Sequence, residues 1–423
     1  MKKLITKIAR YNLWGGKTFK AGFKRDSYLS RIQNYVGNKL IKVLVGQRRV
    51  GKSYILRQIM ADLVDTHGVN PNNIFYLNKE FLAFDKIETS KQLQELFEYY
   101  EEHISQDGKI YIFIDEIQNV DKWELFVNSY SQDYTREYEL FISGSNSTLL
   151  SGELSSLLSG RYVEFQILPF SLAEYVSYYK LTNSRDTFMK YLQSSGLPEL
   201  DNLKNKEGKV NYMFSLKNTI ILRDIMYRYS IKDPVLLEEL FNFVTSNIGH
   251  LTSVSSIIRY YKGRQKRTNF ETISNYLNYL KQSFIIHEVE RYNIRGKQNL
   301  GGEKKYFLND LGFKNYLQGT FPADIGNLLE NFVYISLIRK GFDVGVGVWN
   351  KNEIDFVATK GEKIIYVQVA YLLKEQATID REFGNLLKIK DNFDKYVVTM
   401  DDVDFSDYKG IKHVKPWELD QLL

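Results

Sequence analysis

Residues 46–53 read GQRRVGKS, with the spacing G-x-x-x-x-G-K-[ST]. Few short strings constrain a fold so tightly. Backbone N–H groups can wrap a polyphosphate only where side chains leave room, and Gly46 and Gly51 leave it. Gln47, Arg48, Arg49 and Val50 form the loop between them. Lys52 is placed to reach β/γ-phosphates, Ser53 offers a hydroxyl to Mg²⁺, and Tyr54 opens the helix behind. The flanks agree. IKVLV (41–45) is a short β-branched run suited to a buried parallel strand. SYILRQIMADLV (53–64) puts Ile55, Leu56, Ile59, Leu63 and Val64 on one helical face. Strand, glycine loop and helix follow in order, with a helix N-terminus aimed at the anion.

Such a loop needs an acidic partner on a second buried strand. KIYIFIDEIQNV (109–120) supplies one. Asp115 ends the apolar run 110–114, where a carboxylate can hold Mg²⁺, and Glu116 can polarise an attacking water. Alone, DE after an apolar run is also a strand stopping at a solvated turn; behind this loop the catalytic reading is the stronger. YELFISGSNS (138–147) reads as a third strand with a polar tip, and Asn146 there can orient the water. An ordinary Ser/Gly/Asn turn is the alternative. LLSGR (157–161) places Arg161 after a helix-like stretch. It reads equally as a charge-stabilising arginine for a neighbouring subunit or as a surface residue at a helix C-terminus.

Composition narrows the class. The 423 residues, 43% hydrophobic and 26% charged, suit two or three globular domains. There is no Cys and there are 5 His, which argues against disulfides, thiolate chemistry and Cys- or His-rich metal centres. Lys7 and Arg10 interrupt the apolar amino terminus, so it does not read as a signal peptide. No 18-residue apolar run suggests a membrane span. A net charge of +6 is compatible with nucleic acid without requiring it.

The middle of the chain has its own pattern. LLEELFNFVTSNIGH (236–250), TSVSSIIRYYKG (252–263) and TNFETISNYLNYLKQSF (268–284) read as three helices. IIHEVERYNI (285–294) and KKYFLND (304–310) alternate like a hairpin around a GKQNLGG turn. Three helices and a hairpin describe a winged helix. In that layout the third helix would enter a DNA groove with Asn275 exposed. Arg264, Lys266 and Arg267 would meet phosphates, and Lys297 would sit in the wing. The competing readings are a protein-interaction module and a solvated basic turn.

These residues together resemble the AAA+-related prokaryotic ATPases whose core precedes a domain called DUF4143. The resemblance is carried by GQRRVGKS, IFIDEIQNV, ISGSNSTLLSGELSSLLSGR, ILPFSLAEY (167–175), SGLPEL (195–200), LRDIMYRYSIKD (222–233), GNLLENFVYISLIRKG (326–341) and EIDFVAT (353–359). It spans roughly residues 20 to 420. It implies ATP rather than another nucleotide, Lys52 and Ser53 on phosphate and Mg²⁺, Asp115 and Glu116 in hydrolysis, Asn146 as γ-phosphate sensor and Arg161 as the trans-acting arginine.

Residues 326–423 alternate helix, strand, strand, helix, strand, which resembles the PD-(D/E)XK nuclease fold. Glu330 and Asp355 would be its acids. The acid-x-lysine of the next strand reads Gln368-Val369-Ala370. Gln is a weak Mg²⁺ ligand and Ala370 cannot replace lysine. Glu330, Glu353 and Asp355 either gather a metal or are surface acids. A degenerate nuclease fold is favoured over an active one.

The expectation is therefore an α/β protein. Residues 1–40 form an arm and entry helix, 41–178 a P-loop ATPase core with a parallel sheet and 179–235 a helical lid. Residues 236–318 form a winged helix and 319–423 a restriction-endonuclease-like domain. The expected activity is ATP hydrolysis with Mg²⁺, acting on DNA as a cytoplasmic homo-oligomer and without a membrane. The alternatives are a slow ATP switch that recruits protein partners and an ATP-regulated nuclease.

Overall fold

The computed structural model describes residues 2–150, 158, 160–373, 376–402 and 408–422. The protein is α/β, and the chain divides into two compact units, residues 1–167 and 168–423.

The first unit is built on a five-stranded sheet ordered β2-β3-β4-β1-β5. The strands are β1 (Ile41–Val45), β2 (Ile74–Asn78), β3 (Ile110–Asp115), β4 (Tyr138–Gly144) and β5 (Tyr162–Gln166). Every pairing is parallel. Parallel strands are covered on both faces, so β1 and β2 are buried along their whole length. The helix Lys52–Asp65 buries Ile55, Leu56, Ile59 and Leu63. The helix Ser90–His103 starts at a Thr89–Gln92 capping box and buries Leu93, Leu96, Phe97 and Tyr100.

β2 is an edge strand, and the amino-terminal segment closes it with side chains. The Asn12 carboxamide donates to Tyr76 O at 2.9 Å and accepts from Tyr76 N–H at 2.7 Å, as a neighbouring strand would. Trp14 Nε1–H donates to Ile74 O at 2.7 Å. Neither β2 nor β5 was read from the sequence. IKVLV is no longer than IFYLN or YVEFQ, but it is marked by the glycine loop that follows it, and neither of these two has such a motif beside it.

The second unit carries a seven-stranded mixed sheet ordered β12-β11-β10-β9-β8-β6-β7. The expected trio of helices appears as Pro234–Ser246, Val254–Gly263 and Phe270–Gln282. Asp233, Ser253 and Asn269 cap their first turns. The hairpin follows as β6 (Ile286–Asn293) and β7 (Gln298–Leu308). β7 is longer than the sequence suggested. The expected turn GKQNLGG shrinks because Gln298, Asn299 and Leu300 pair with β6 beyond a register shift at Glu290/Arg291.

β6 also pairs in parallel with β8 (Asp343–Trp349), so the hairpin is continuous with the carboxyl-terminal sheet. β9 (Asn352–Lys360), β10 (Lys363–Ala370), β11 (Asp394–Thr399) and β12 (Lys412–Val414) complete it. The helices Ile325–Arg339 and Gln376–Leu387 belong to the same region. Three strands, not two, separate them. β8, glycine-bearing DVGVGVW, was missed because Gly lacks strand propensity. Among the described residues, no helix is long and apolar enough to cross a membrane.

Candidate functional site

The loop 46–51 leaves the carboxyl end of β1 and turns into the helix at Lys52. Its glycines are required by geometry. Gly46 has φ +148°, and a Cβ there would lie 2.3 Å from Ile167 O. Gly51, the residue before the helix, is left-handed at φ 100°. Arg49 is also left-handed at φ 71°, a conformation with a cost for a residue bearing a Cβ. The loop is anchored on one side by the buried Arg25, whose Nη1 donates to Val50 O at 2.9 Å. The Arg48 guanidinium pairs with Glu80. Gln58 holds the segment before the loop, donating to Ala21 O at 2.8 Å and Phe23 O at 2.7 Å. Tyr54 lies against Gly22, with the Arg57 guanidinium 4.0 Å from its ring centre.

Lys52 is 4% exposed. Its ammonium donates to Gly46 O at 2.8 Å and Gln47 O at 3.1 Å, and stands 3.5 Å from Glu116 Oε1.

Asp115 ends β3 with no exposure. Asn78 Nδ2 donates to its Oδ2 at 2.9 Å and the Tyr76 hydroxyl at 3.1 Å, while Ser143 donates to Oδ1. Ser53 bonds the same carboxylate. Burial, then the adjacent Glu116, push Asp115 above the usual carboxylate range against Ser143, Ser53 and Lys52. Glu116 goes the other way. Burial pushes it up, but Lys52, Arg48 and a hydrogen bond from Gln118 together hold it below its usual value. The two adjacent acids are thereby shifted in opposite directions.

Gln118 was not singled out in the sequence. Its Nε2 donates to Glu116 Oε2 at 2.5 Å and to Ser145 Oγ at 3.3 Å. Gly144 makes room for it, since a Cβ there would come 2.7 Å from Gln118 Oε1. The Ser143 hydroxyl accepts from the Glu116 N–H at 3.1 Å. Asn146 is fully buried beside this cluster in the chain. Glu116 itself is left-handed at φ 55°, and such strain gathers where function over-determines the backbone.

Arg161 is not part of this gathering. Its backbone O accepts from Ile41 N–H at 2.9 Å, at the amino end of β1, opposite the loop. Four strand steps separate the two ends, ~13 Å. The side chain is exposed and donates to Asn128 Oδ1 at 3.3 Å. Residues 151–157 and 159 of the motif before it lie outside the described residues.

In the second unit Arg264, Lys266, Arg267, Asn275 and Lys297 are all exposed. So are Arg259, Tyr260, Lys262 and Phe270. The Arg264 guanidinium lies 4.5 Å from the Tyr260 ring centre, while Lys266 pairs with Glu239. Glu330, Asp355 and Gln368 do come together, with Glu353, around a residue the sequence reading passed over, Lys305.

Comparison with known proteins follows this division. A family model described as an AAA domain matches residues 38–176. Two domains of unknown function follow, DUF8612 over 185–324 and DUF4143 over 325–419. A protein of Haemophilus influenzae, carried as uncharacterized, is 35% identical over 407 residues, 95% of this chain and 99% of that one. One of Methanocaldococcus jannaschii, also carried as uncharacterized, is 29% identical over 350 residues, 79% of this chain and 75% of that one. Among solved structures, the chain is similar to a Walker-type ATPase of Pyrococcus abyssi, with 16% identity and a TM-score of 0.49, over 70% of this chain and 96% of that one.

Proposed function

The chain belongs to the family that joins an AAA-type P-loop ATPase domain to a carboxyl-terminal DUF4143 domain, and on that premise we propose that it binds and hydrolyses ATP and couples the nucleotide state to a grip on DNA. One observation carries the hydrolytic part: Lys52, Ser53, Asp115 and Glu116 form one network between the phosphate loop and the tip of β3, with Lys52 3.5 Å from Glu116 and Ser53 bonded to Asp115.

The donor set suits Mg²⁺, which prefers hard oxygens and is held by one or two carboxylates. Ser53 and Asp115 would hold it, and the ion would supply charge neutralisation on the phosphates. The loop amides receive the phosphates. Lys52 exchanges its bonds to Gly46 O and Gln47 O for phosphate oxygens. Glu116, ionised, takes a proton from the attacking water. Asn146 orients that water.

Arg161 lies too far from the loop of its own β1 to serve it, which favours a homo-oligomer in which it completes a neighbour's site. The exposed Arg259, Lys262, Arg264, Lys266 and Arg267, with the exposed rings of Tyr260 and Phe270 near them in the chain, have the chemistry of a nucleic-acid face. Cellular ATP makes the cytoplasm its place of action. The alternative is a slow ATP switch that recruits protein partners, which turnover indifferent to DNA would support.

The test is Mg²⁺-dependent ATP turnover of the wild type and Glu116→Gln, with and without duplex DNA at low salt. Turnover that rises with DNA and falls in the variant supports the DNA-coupled ATPase. Slow turnover indifferent to DNA supports the switch, and no turnover in either protein overturns both hydrolytic readings.

A further inference from the structure

Lys305 points inward from β7 and is 3% exposed. Its Nζ stands 2.8 Å from Glu330 Oε1, 2.7 Å from Glu353 Oε1 and 3.9 Å from Asp355 Oδ1. The acids come from the helix Ile325–Arg339 and from β9, so the ammonium sits where two elements converge on a third. Asp355 is fixed from behind, since Val369 N–H donates to its Oδ2 at 2.7 Å. Gln368 completes the group, accepting from Asp355 N–H at 3.4 Å. Burial pulls the Lys305 ammonium down, but Glu330, Asp355 and Glu353 outweigh it and hold it above its usual value. Burial and mutual repulsion push Asp355 well above the carboxylate range.

Glu330, Asp355 and Gln368 are the positions that the nuclease resemblance aligns with metal ligands. A hydrolytic centre of that kind needs an open cation position ringed by oxygens, and Mg²⁺ demands near-octahedral contacts at about 2.0–2.1 Å. Here an ammonium nitrogen already lies within hydrogen-bond distance of two of the carboxylates. A dication cannot share those oxygens without meeting the Lys305 charge. Among the described residues no group of three or more His, Cys, Asp or Glu is arranged to hold a metal. Position 370 is alanine, and Lys374 lies outside the described residues.

We infer that Lys305 Nζ is the resident cation of this carboxylate site, standing where a divalent metal would otherwise sit, so that the carboxyl-terminal sheet is a metal-free scaffold that does not cut nucleic acid. The exchange also joins two parts of the unit. Lys304, the adjacent residue, pairs its backbone with Thr252 at 2.8 and 2.9 Å, just before the helix Val254–Gly263. Gly249, whose N–H donates to Tyr306 O, packs so close that a Cβ would lie 3.0 Å from Glu330 Oε2. The ammonium therefore ties the base of the basic-faced helices to the carboxyl-terminal helix and sheet.

The test uses nucleotide-free full-length protein titrated with Mn²⁺ by electron paramagnetic resonance, with plasmid nicking and thermal melting alongside. Wild type and Asp355→Asn should give the same Mn²⁺ isotherm, no nicking, and no Mn²⁺ shift in the melt that depends on Asp355. Lys305→Met should gain one Mn²⁺ site, and adding Asp355→Asn should remove it. A wild-type Mn²⁺ site or nicking activity lost in Asp355→Asn overturns the inference, as does a folded Lys305→Met that gains no site. If Lys305→Met does not fold, the comparison of wild type with Asp355→Asn decides. None of these readings depends on ATP turnover.

Discussion

The Gln118 carboxamide donates to the Glu116 carboxylate across 2.5 Å and reaches Ser145 with the same nitrogen. It therefore spans the acid at the tip of β3 and the polar tip of β4. A hydrogen bond to a charged acceptor is worth about 1.5–3 kcal/mol. Gln118→Leu should lower kcat about tenfold at mildly acidic pH and leave KM for ATP unchanged. The sign of the pH effect follows from Glu116. Its ionised form is held below the ordinary range by Lys52, Arg48 and Gln118 against burial. Losing Gln118 weakens that hold, so the base protonates at higher pH and the acid limb of the kcat profile moves up. An unchanged limb with an unchanged kcat would remove Gln118 from the mechanism.

Gly46→Ala should fail for steric reasons alone. The Cβ would meet Ile167 O at 2.3 Å, and φ +148° is hostile to a side chain. A cost of ~2–4 kcal/mol is expected from overpacking plus backbone strain. Urea unfolding should show it, and binding of a fluorescent ATP analogue should fall with it. Gly263→Ala, with nothing within 4 Å of the added Cβ, is the matched control and should be near neutral or slightly stabilising.

Arg161→Ala should leave ATP affinity unchanged, because the residue lies at the far end of β1 from the loop. If it acts in trans, wild-type turnover per subunit should rise with protein concentration and Arg161→Ala should lose that rise. Mixing Arg161→Ala with Glu116→Gln subunits should restore part of the activity. Equal loss at every concentration and no complementation would end the trans assignment.

The basic face yields a salt-dependence prediction. Each phosphate contact contributes a slope of about −0.9 in log K against log salt on duplex DNA. Arg264→Ala and Arg267→Ala should each flatten the slope by about one. Lys266 is paired with Glu239, so Lys266→Ala should flatten it less. Slopes that do not move would take DNA off this face.

Asp310 gives a stability prediction. It accepts from the Ser195 hydroxyl at 2.6 Å and from the Gly196 and Gly312 N–H groups at 2.8 Å each, yet burial raises it from 3.8 to about 6. The folded state thus binds the proton more tightly than the unfolded chain. Its favourable contribution is complete below pH about 4 and is lost as pH rises through about 6. Asp310→Asn should flatten the urea midpoint between pH 4 and 7, where the wild type declines.

Much of this was legible in the chain, for identifiable reasons. IKVLV, IFID and the glycine loop announce themselves because steric demands there admit few residue types. The observed β1 and β3 end at Val45 and Asp115, where the patterns end. The helices Val254–Gly263 and Phe270–Gln282 likewise lie within the segments whose spacing marked them. What escaped depends on contacts far apart in sequence. Lys305 sits in a polar run, EKKY, indistinguishable from a solvated strand end until Glu330 and Glu353 fold around it. Gln118 becomes meaningful only when β4 brings Ser145 beside it. The hairpin reads as a closed module, but β6 finds β8 more than fifty residues later.

The side-chain seal on β2 bears on how the protein should be trimmed. Asn12 and Trp14 occupy the N–H and C=O groups that Tyr76 and Ile74 would otherwise show to solvent. A shortened chain beginning near residue 20 keeps every residue of the nucleotide loop yet leaves an unglued seam along a parallel sheet, which is a template for another strand. Such a protein would precipitate with its loop intact. Its silence in a turnover assay would then measure stickiness, and an amino-terminal requirement for catalysis would be inferred where only an exposed margin had been laid bare.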